Sequence, residues 1–129
     1  MISFDAFVPV AGVPIYLQIL RYIQRGAAAG RIQNGDELPS RRVLSALLGV
    51  NPNTVQKAYR LLEEKGLISS HTGAKSCMVL TEETVQTIRQ ELLESEVRTL
   101  VTAMRQTGAS KEDARALISK IWDEDECGV

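Results

Sequence analysis

The sequence predicts a mainly α-helical protein with one small β-hairpin, and three observations lead to this fold class. Apolar residues recur at helical spacing in three short segments before residue 67. Two strand-like segments then flank a glycine-containing link between residues 67 and 80, and two longer amphipathic segments follow. The order helix–helix–helix–hairpin is that of a winged helix-turn-helix. We expect this N-terminal winged helix-turn-helix over residues 1–80 and a two-helix C-terminal region over residues 81–129.

The first helix is predicted to begin at Pro14, because proline is favoured at the first helical position. Apolar residues then follow at steps of three and four and define one face, namely Ile15, Ile19, Tyr22 and Ile23. Gly30 is the expected left-handed stop.

A very short link is predicted between the second and third helices. Ser40 is the expected N-cap of the second helix, and Gly49 ends it. Asn51 can cap the third helix, with Pro52 in its first turn and Gly66 at its end. The buried side of the second helix is expected to consist of Val43, Leu44, Leu47 and Leu48. Helices joined by so short a link must cross steeply, as they do in a helix-turn-helix.

The remaining elements follow from the same local signals. Residues 67–71 and 76–80 are strand candidates around a four-residue link that contains Gly73. Thr81 is the expected cap of a long helix with a broad apolar face, which Gly108 ends. Ser110 and Asp113 then resemble a capping box at the start of the last helix.

The formal net charge of −1 hides an uneven distribution along the chain. Residues 1–80 hold nine Lys and Arg against five Asp and Glu, a net charge of +4. Residues 81–129 hold six basic against eleven acidic side chains, a net charge of −5. The basic N-terminal part favours an anionic partner, with DNA as the first candidate.

The polar side of the third helix carries the side chains best suited to reading DNA. Amide, hydroxyl and ammonium groups gather at its start, the part of a recognition helix that reaches base edges: Asn51, Asn53, Thr54, Gln56 and Lys57. Phosphate contacts are expected from Arg41 and Arg42 of the second helix. The wing tip at Thr72, Gly73 and Lys75 is expected to approach phosphates or a minor groove. The alternatives are an ordinary solvated helix face, two surface arginines and a tight hairpin.

Four sequence motifs between residues 13 and 80 resemble the GntR family of bacterial repressors. They are Pro14-Ile15-Tyr16-Leu17-Gln18-Ile19, Gly30-x(4)-Gly35-x-x-Leu38-Pro39-Ser40-x-Arg42, Leu47-x-Gly49-Val50-x-x-x-Thr54-Val55 and Ala58-Tyr59-Arg60-x-Leu62-Glu63-x-x-Gly66-Leu67-Ile68. Residues 51–59 are similar to the YtrA-like subfamily in particular, whose effector region is just two helices.

This resemblance implies sequence-specific binding of double-stranded DNA at a palindromic operator by a homodimer, usually to repress a transporter-linked operon. By motif position it places the DNA-reading residues at Arg42, Asn51, Asn53, Thr54, Gln56 and Lys57, with Gly73 in the wing. The wing departs from the family pattern Gly-x-Gly-Thr-[Phe/Tyr]-Val, because Gly73-Ala74-Lys75-Ser76-Cys77-Met78 lacks the second glycine and the aromatic residue.

The two C-terminal helices are expected to form a dimerisation region. They are too small to enclose by themselves a metabolite-sized cavity of roughly 300 Å³ or more. The apolar face of the long helix is wider than one short helix can cover, so a second subunit is the expected cover. The predicted interface residues are Ile88, Leu92, Val97, Leu100, Met104, Leu117, Ile121 and Trp122. The alternative is a hairpin folded back on its own winged helix.

Other classes of function find little support in the sequence. No phosphate-binding loop, nucleophile elbow or HExxH motif is present, so we predict that the chain is not an enzyme. Two distant cysteines and one histidine exclude a structural zinc site, and no metal or cofactor is expected. No apolar run approaches the roughly 18 residues of a membrane-spanning helix, and we expect a cytoplasmic protein.

The sequence thus predicts a DNA-binding transcriptional regulator and leaves two alternatives open. One is a winged helix that serves as a protein–protein interaction module. The other is a regulator gated by a small-molecule effector at the dimer interface, with the effector unknown.

Overall fold

The computed structural model describes the backbone of residues 1–70 and 75–127, and side chains as far as residue 124. The elements in chain order are α1 (Ile15–Ala28), α2 (Arg41–Leu48), α3 (Pro52–Glu64), β1 (Ile68–Ser70), β2 (Ser76–Met78), α4 (Glu82–Gln106) and α5 (Lys111–Cys127). The two strands pair antiparallel, with Ile68 opposite Met78. The predicted fold class, mainly α with a winged helix-turn-helix at the N-terminal end, is confirmed.

The contacts divide the chain into two compact units, Met1–Leu92 and Leu93–Val129. The first unit holds the winged helix together with the start of α4, since Ile88 of α4 is buried in its core. The second unit holds the rest of α4 and α5. A functional division after residue 80 stays a prediction.

The helix-turn-helix is built from the local signals that the sequence shows. The Ser40 hydroxyl accepts a hydrogen bond from the backbone N–H of Val43 (3.1 Å), which caps α2. Gly49 ends that helix with a positive φ of 66°, a conformation that glycine adopts without strain. The Asn51 side chain then accepts from the N–H of Asn53 (2.8 Å) and caps α3.

The buried side of α2 differs from the prediction. Leu44 is fully buried and Leu48 half-buried, as expected, but Val43 is 49% and Leu47 68% exposed. The helix has only two turns and presents Leu44 and Ser45 to the core. Val43 and Leu47, four residues apart, therefore share the neighbouring, solvent-facing side. The prediction was wrong for these two residues.

The wing is joined to the segment between α1 and α2. Glu37 forms an antiparallel bridge with Cys77 of β2. The N–H of Leu38 donates to the carbonyl of Ser76 (2.9 Å), so this segment extends the hairpin by a third, short partner. Of the predicted wing residues, Thr72 and Gly73 lie outside the described residues, whereas Lys75 lies within them.

One core serves the whole first unit. Its largest fully buried side chains come from α1, α2, α3, β2 and the α1–α2 connection: Tyr59, Ile19, Ile23, Leu38, Leu44, Leu62, Met78 and Val55. The N-terminal segment contributes Ile2 and Phe4, both 7% exposed. Phe4 stacks on Tyr22 of α1 with a centroid distance of 4.9 Å. The beginning of the chain is therefore part of the fold.

Tyr59 links α3 to the start of α2. Its side chain is 1% exposed, and its hydroxyl donates to the carbonyl oxygen of Pro39 (2.6 Å). The Arg41 guanidinium lies 5.5 Å from the centre of the Tyr59 ring. Burial raises the pKa of the Tyr59 hydroxyl far above its ordinary value, and the Arg41 charge lowers it to a smaller degree. The hydroxyl therefore stays a donor at any working pH.

We expect Tyr59→Phe to lower the free energy of unfolding by about 1–3 kcal/mol, because it leaves the buried Pro39 carbonyl without a donor. Urea denaturation measures this loss. Tyr22→Phe is the matched control, since the Tyr22 hydroxyl donates to the carbonyl of Ser3 (2.8 Å) at an exposed site. The control is expected to lose less than about 1 kcal/mol, and equal losses in the two variants would contradict the prediction.

The second unit is a helical hairpin whose described side chains form no core. Gly108 ends α4 with a φ of 79°. The predicted capping box is present: the Ser110 hydroxyl accepts from the N–H of Asp113 (3.1 Å), and the Asp113 carboxylate accepts from the N–H of Ser110 (3.2 Å). The hydrogen bond from the Ser110 backbone N–H lowers the pKa of the Asp113 carboxyl. The hydrogen bond with the Ser110 hydroxyl lowers this pKa as well, to a smaller degree.

Most of the described apolar residues of this hairpin face solvent. No described side chain of residues 93–124 is buried. The large apolar side chains that are 37–71% exposed are Leu93, Val97, Leu100, Val101, Leu117, Ile118, Ile121 and Trp122.

Within the described part of the chain, no helix is long and apolar enough to cross a membrane.

Candidate nucleic-acid interface

The start of α3 presents an exposed pair of amide side chains. Asn53 and Gln56 are both exposed and lie three residues apart, so they share one side of the helix. Lys57 is exposed beside them, and Thr54 is half-buried. The positive end of the helix dipole points from the same terminus. This surface can therefore offer donors and acceptors to base edges and attract phosphate.

Asn51 has a structural task that limits its other contacts. Its carboxamide oxygen accepts the N–H of Asn53 and is occupied as the N-cap. The side-chain nitrogen remains as a donor, so the residue can donate to a phosphate or base acceptor while it caps the helix. The sequence predicted two roles for Asn51, as the N-cap of α3 and as a DNA-reading residue. The structure shows the cap, and the DNA contact stays a prediction.

Lys57 is held by a residue that the sequence analysis did not count as part of the site. Its ammonium nitrogen lies 4.0 Å from the centre of the Tyr16 ring, within cation–π distance. Tyr16 belongs to α1 and is half-buried. Tyr16 belongs to one of the motifs that resemble the family, so the sequence draws attention to this residue. Nothing in the motif indicates its contact with Lys57.

The two arginines that open α2 differ in their surroundings. Arg41 is half-buried with its guanidinium over the Tyr59 ring, and its Nε atom is buried without a hydrogen-bond partner among the described residues. Arg42 is exposed. Arg41 therefore packs against the core and presents only the end of its guanidinium, whereas Arg42 can extend fully towards a phosphate.

Lys75 at the base of the wing is paired in the free protein. Its ammonium lies 3.4 Å from a carboxylate oxygen of Glu37, and both side chains are largely exposed. An exposed pair of this kind contributes little to stability. A phosphate that approaches Lys75 competes with Glu37 for the same ammonium.

The predicted dimer-interface residues separate into two groups. Ile88 is only 3% exposed, in the core of the first unit, and Leu92 is half-buried against that core. Ile88 has no exposed surface for a partner, and its assignment to the interface was wrong because its own unit already covers it. The other predicted residues belong to the hairpin and are exposed, apart from the half-buried Met104: Val97, Leu100, Leu117, Ile121 and Trp122.

The hairpin also contains an open apolar groove of about 540 Å³. Val101, Met104, Ala114 and Ile118 line it from α4 and α5. The groove opens to solvent, so it is not an enclosed ligand cavity. Within the residues that the structure describes, no cluster of His, Cys, Asp or Glu side chains is suited to hold a metal ion.

Comparison with known proteins gives a consistent set of relatives. The chain is 41% identical over 73 residues to the HTH-type transcriptional repressor YtrA of Bacillus subtilis (strain 168), a stretch of 57% of the chain and 54% of YtrA. The chain thus spans about half the length of that curated relative. YtrA from Sulfolobus acidocaldarius, a GntR-family transcription factor of solved structure, superposes with a TM-score of 0.56 at 32% identity, over 77% of the chain and 99% of the relative.

The likeness extends to a bacterial structure and to the family as a whole. A GntR family transcriptional regulator from Listeria monocytogenes superposes with a TM-score of 0.76 at 29% identity, over 87% of the chain and 98% of the relative. These relatives are all named as transcription regulators and none as an enzyme, in line with the prediction from the sequence. The sequence profile described as "Bacterial regulatory proteins, gntR family" matches residues 15–76. The chain belongs to the GntR family of bacterial regulatory proteins.

Proposed function

We propose that the chain is a sequence-specific DNA-binding transcriptional regulator that binds a palindromic operator as a homodimer and represses transcription in the cytoplasm. The observation that carries this proposal is the exposed Asn53–Gln56 pair at the start of the second helix of a helix-turn-helix. In that fold the start of this helix enters the major groove. The family assignment and the net charge of +4 on residues 1–80 support the same function.

The side chains divide into base contacts and phosphate contacts. Gln56 and Asn53 carry amides that can pair with both hydrogen-bonding groups of an adenine edge. Arg42 and Lys75 are exposed cations on neighbouring elements and are assigned to phosphates, which position the protein without reading sequence. Lys57 lies next to Gln56 and can donate to a guanine or a phosphate from its place on Tyr16.

The homodimer is inferred from the C-terminal hairpin. Its described side chains form no core, and eight large apolar residues are exposed on only two helices. A second copy can cover these residues, and a two-fold dimer is the commonest arrangement for such self-association. Two-fold symmetry would place two recognition helices about 34 Å apart on a palindrome. Repression is proposed from the B. subtilis relative, whose name describes a repressor.

A binding selection from a random duplex library, at about 150 mM salt, tests the proposal. The expected result is an inverted repeat with half-sites about one helical turn apart. Weak binding that depends strongly on salt and selects no sequence would contradict sequence-specific recognition. An enriched single half-site would contradict the dimer while supporting the DNA-binding face.

Glu37→Gln is expected to tighten binding to the operator and to scrambled duplex alike, by about two- to fivefold at low salt. The substitution frees Lys75 from its ion pair and removes a negative charge near an approaching phosphate. Fluorescence anisotropy on both duplexes measures the effect. Glu91→Gln, at an exposed position of α4, is the control and is expected to change neither affinity. Unchanged or weaker binding by Glu37→Gln would rule out DNA contact at Lys75.

The second candidate, a module that docks another protein, is favoured by one observation. Val43 and Leu47 are exposed apolar neighbours on α2, in the same helix-turn-helix. If the selection finds no binding to DNA at any salt concentration, this pair becomes the first surface to test for a protein partner.

A further inference from the structure

A cavity of about 400 Å³ that opens to solvent lies between the N-terminal segment and α1. The rings of Phe7 and Tyr22 form its aromatic wall, and Arg21, Arg25 and Arg31 line it with guanidinium groups. Its volume falls in the range of small-molecule sites. All of its lining belongs to the first unit, and neither the fold nor DNA binding accounts for it.

Hydrogen bonds and ring packing hold the walls of this cavity. The Gln18 side chain accepts the N–H of Val10 (2.9 Å) and donates to the carbonyls of Val10 (3.0 Å) and Val13 (2.8 Å), which ties the N-terminal segment to α1. Phe7 packs edge-on against Tyr22 with a centroid distance of 5.5 Å. A preformed site loses less conformational entropy when a ligand binds.

The charged side chains that line the cavity are all basic, while Asp5 and Asp36 lie beside Arg31 in the adjoining depression. Three arginines line it, and no carboxylate side chain stands among the described lining residues. Arg21 and Arg31 are exposed and make no hydrogen bond or ion pair with other described residues. An anion in the cavity can accept hydrogen bonds from the guanidinium groups of Arg21 and Arg31.

The cavity lies away from the candidate DNA interface. At about 100° per residue, Arg21 and Arg25 are roughly 140–180° around α1 from Tyr16. Tyr16 carries the Lys57 contact on the side of α1 that meets α3. Arg21 and Arg25 therefore face away from the recognition helix, and phosphate contacts of an operator bound there do not explain these two residues.

We propose that this cavity binds a small organic anion, whose phosphate or carboxylate group contacts Arg21 and Arg31 and whose flat apolar part packs on Phe7 and Tyr22. The guanidinium plane suits an oxyanion with two acceptor oxygens. The aromatic wall adds apolar contact that an inorganic ion cannot use. This site goes beyond the proposed function, because binding of the anion does not require DNA.

Isothermal titration of the full chain with phenyl phosphate tests the site, with inorganic phosphate and phenol as partial probes. Phenyl phosphate is expected to bind at one site per chain with a Kd below about 1 mM, and each partial probe at least about tenfold more weakly. Arg21→Gln and Arg31→Gln are each expected to weaken the binding of phenyl phosphate by about tenfold or more. Lys65→Gln removes an exposed cation at the end of α3, outside the cavity, and is expected to leave the affinity unchanged.

Three outcomes would overturn the proposal. The first is no saturable binding of phenyl phosphate up to about 10 mM. The second is an equal loss of affinity for phenyl phosphate in the Lys65→Gln control. That result would mean that phenyl phosphate is attracted only by the overall positive charge. The third is that Arg21→Gln or Arg31→Gln abolishes non-specific binding to duplex DNA but leaves the affinity for phenyl phosphate unchanged. That result would assign these arginines to contacts with the DNA backbone. Thermal melting of each variant shows that the fold is intact.

Discussion

A chain carrying both Leu100→Asp and Ile121→Asp is expected to be monomeric and to bind the selected operator about 100-fold more weakly or worse. Leu100 and Ile121 are 42% and 46% exposed on α4 and α5 and are proposed to be covered by a second copy. Two carboxylates in an apolar interface would be buried without partners, which disfavours association strongly. A monomer then binds only one half-site and loses the increase in operator affinity that comes from binding two half-sites at once.

Sedimentation equilibrium gives the association state of this variant, and anisotropy on the operator gives its affinity. A chain with Thr102→Asp and Ser119→Asp adds the same charge at exposed polar positions of the same two helices and is the control. It is expected to stay dimeric and to bind as the unchanged chain does. A monomeric unchanged chain at micromolar concentration, or a dimeric double variant, would show that these residues do not form the interface.

Gln56→Ala is expected to weaken binding to the selected operator by about 1–3 kcal/mol, or about 5- to 150-fold, with little effect on scrambled duplex. The physical reason is the loss of an amide that pairs with one base edge, which removes preference at that position. Lys75→Ala is the contrasting variant. It is expected to weaken all duplexes by a similar factor and to reduce the slope of affinity against salt by about one ion.

The control for Gln56→Ala is Glu64→Ala, an exposed position at the other end of α3. Its operator affinity is expected to stay within about twofold of the unchanged chain, since this end of the helix is far from the bases. If Gln56→Ala and Lys75→Ala behaved alike on operator and scrambled DNA, the division into base and phosphate contacts would be wrong.

Local sequence signals predicted most of the helix boundaries. Ser40 and Asn51 cap the helices for which they were proposed, Gly49 takes the left-handed conformation that ends α2, and Ser110 pairs with Asp113 as a capping box. These features depend on residues within four positions of one another, so the order of residues is enough to predict them.

Contacts between distant segments could not be predicted in the same way. Ile2 and Phe4 enter the core because the N-terminal segment packs on α1, and Glu37 bridges to Cys77 across some forty residues. Periodicity marks a residue as apolar-facing but does not say what covers it. For that reason Val43 and Leu47 were expected inside and are exposed, and Ile88 was expected at an interface and is in a core.

The candidate site shows the same limit. Residue type and helix position indicated Gln56, Lys57 and Lys75, since amides and cations suit DNA wherever the backbone presents them. The partners of Lys57 and Lys75 come from other parts of the chain, from Tyr16 of α1 and Glu37 of the α1–α2 connection. Only the folded arrangement brings these pairs together.

The absence of buried side chains among the described residues of the C-terminal hairpin has a consequence for gene control. In the proposed homodimer, the exposed apolar side chains of this unit are covered only when two copies associate. In the proposed dimer, the population able to hold both half-sites grows with about the square of the protein concentration when dimers are scarce. A twofold change in how much regulator a cell contains therefore alters operator occupancy about fourfold at low abundance. In the proposed dimer, the hairpin would thereby set a protein concentration below which the operator is largely unoccupied.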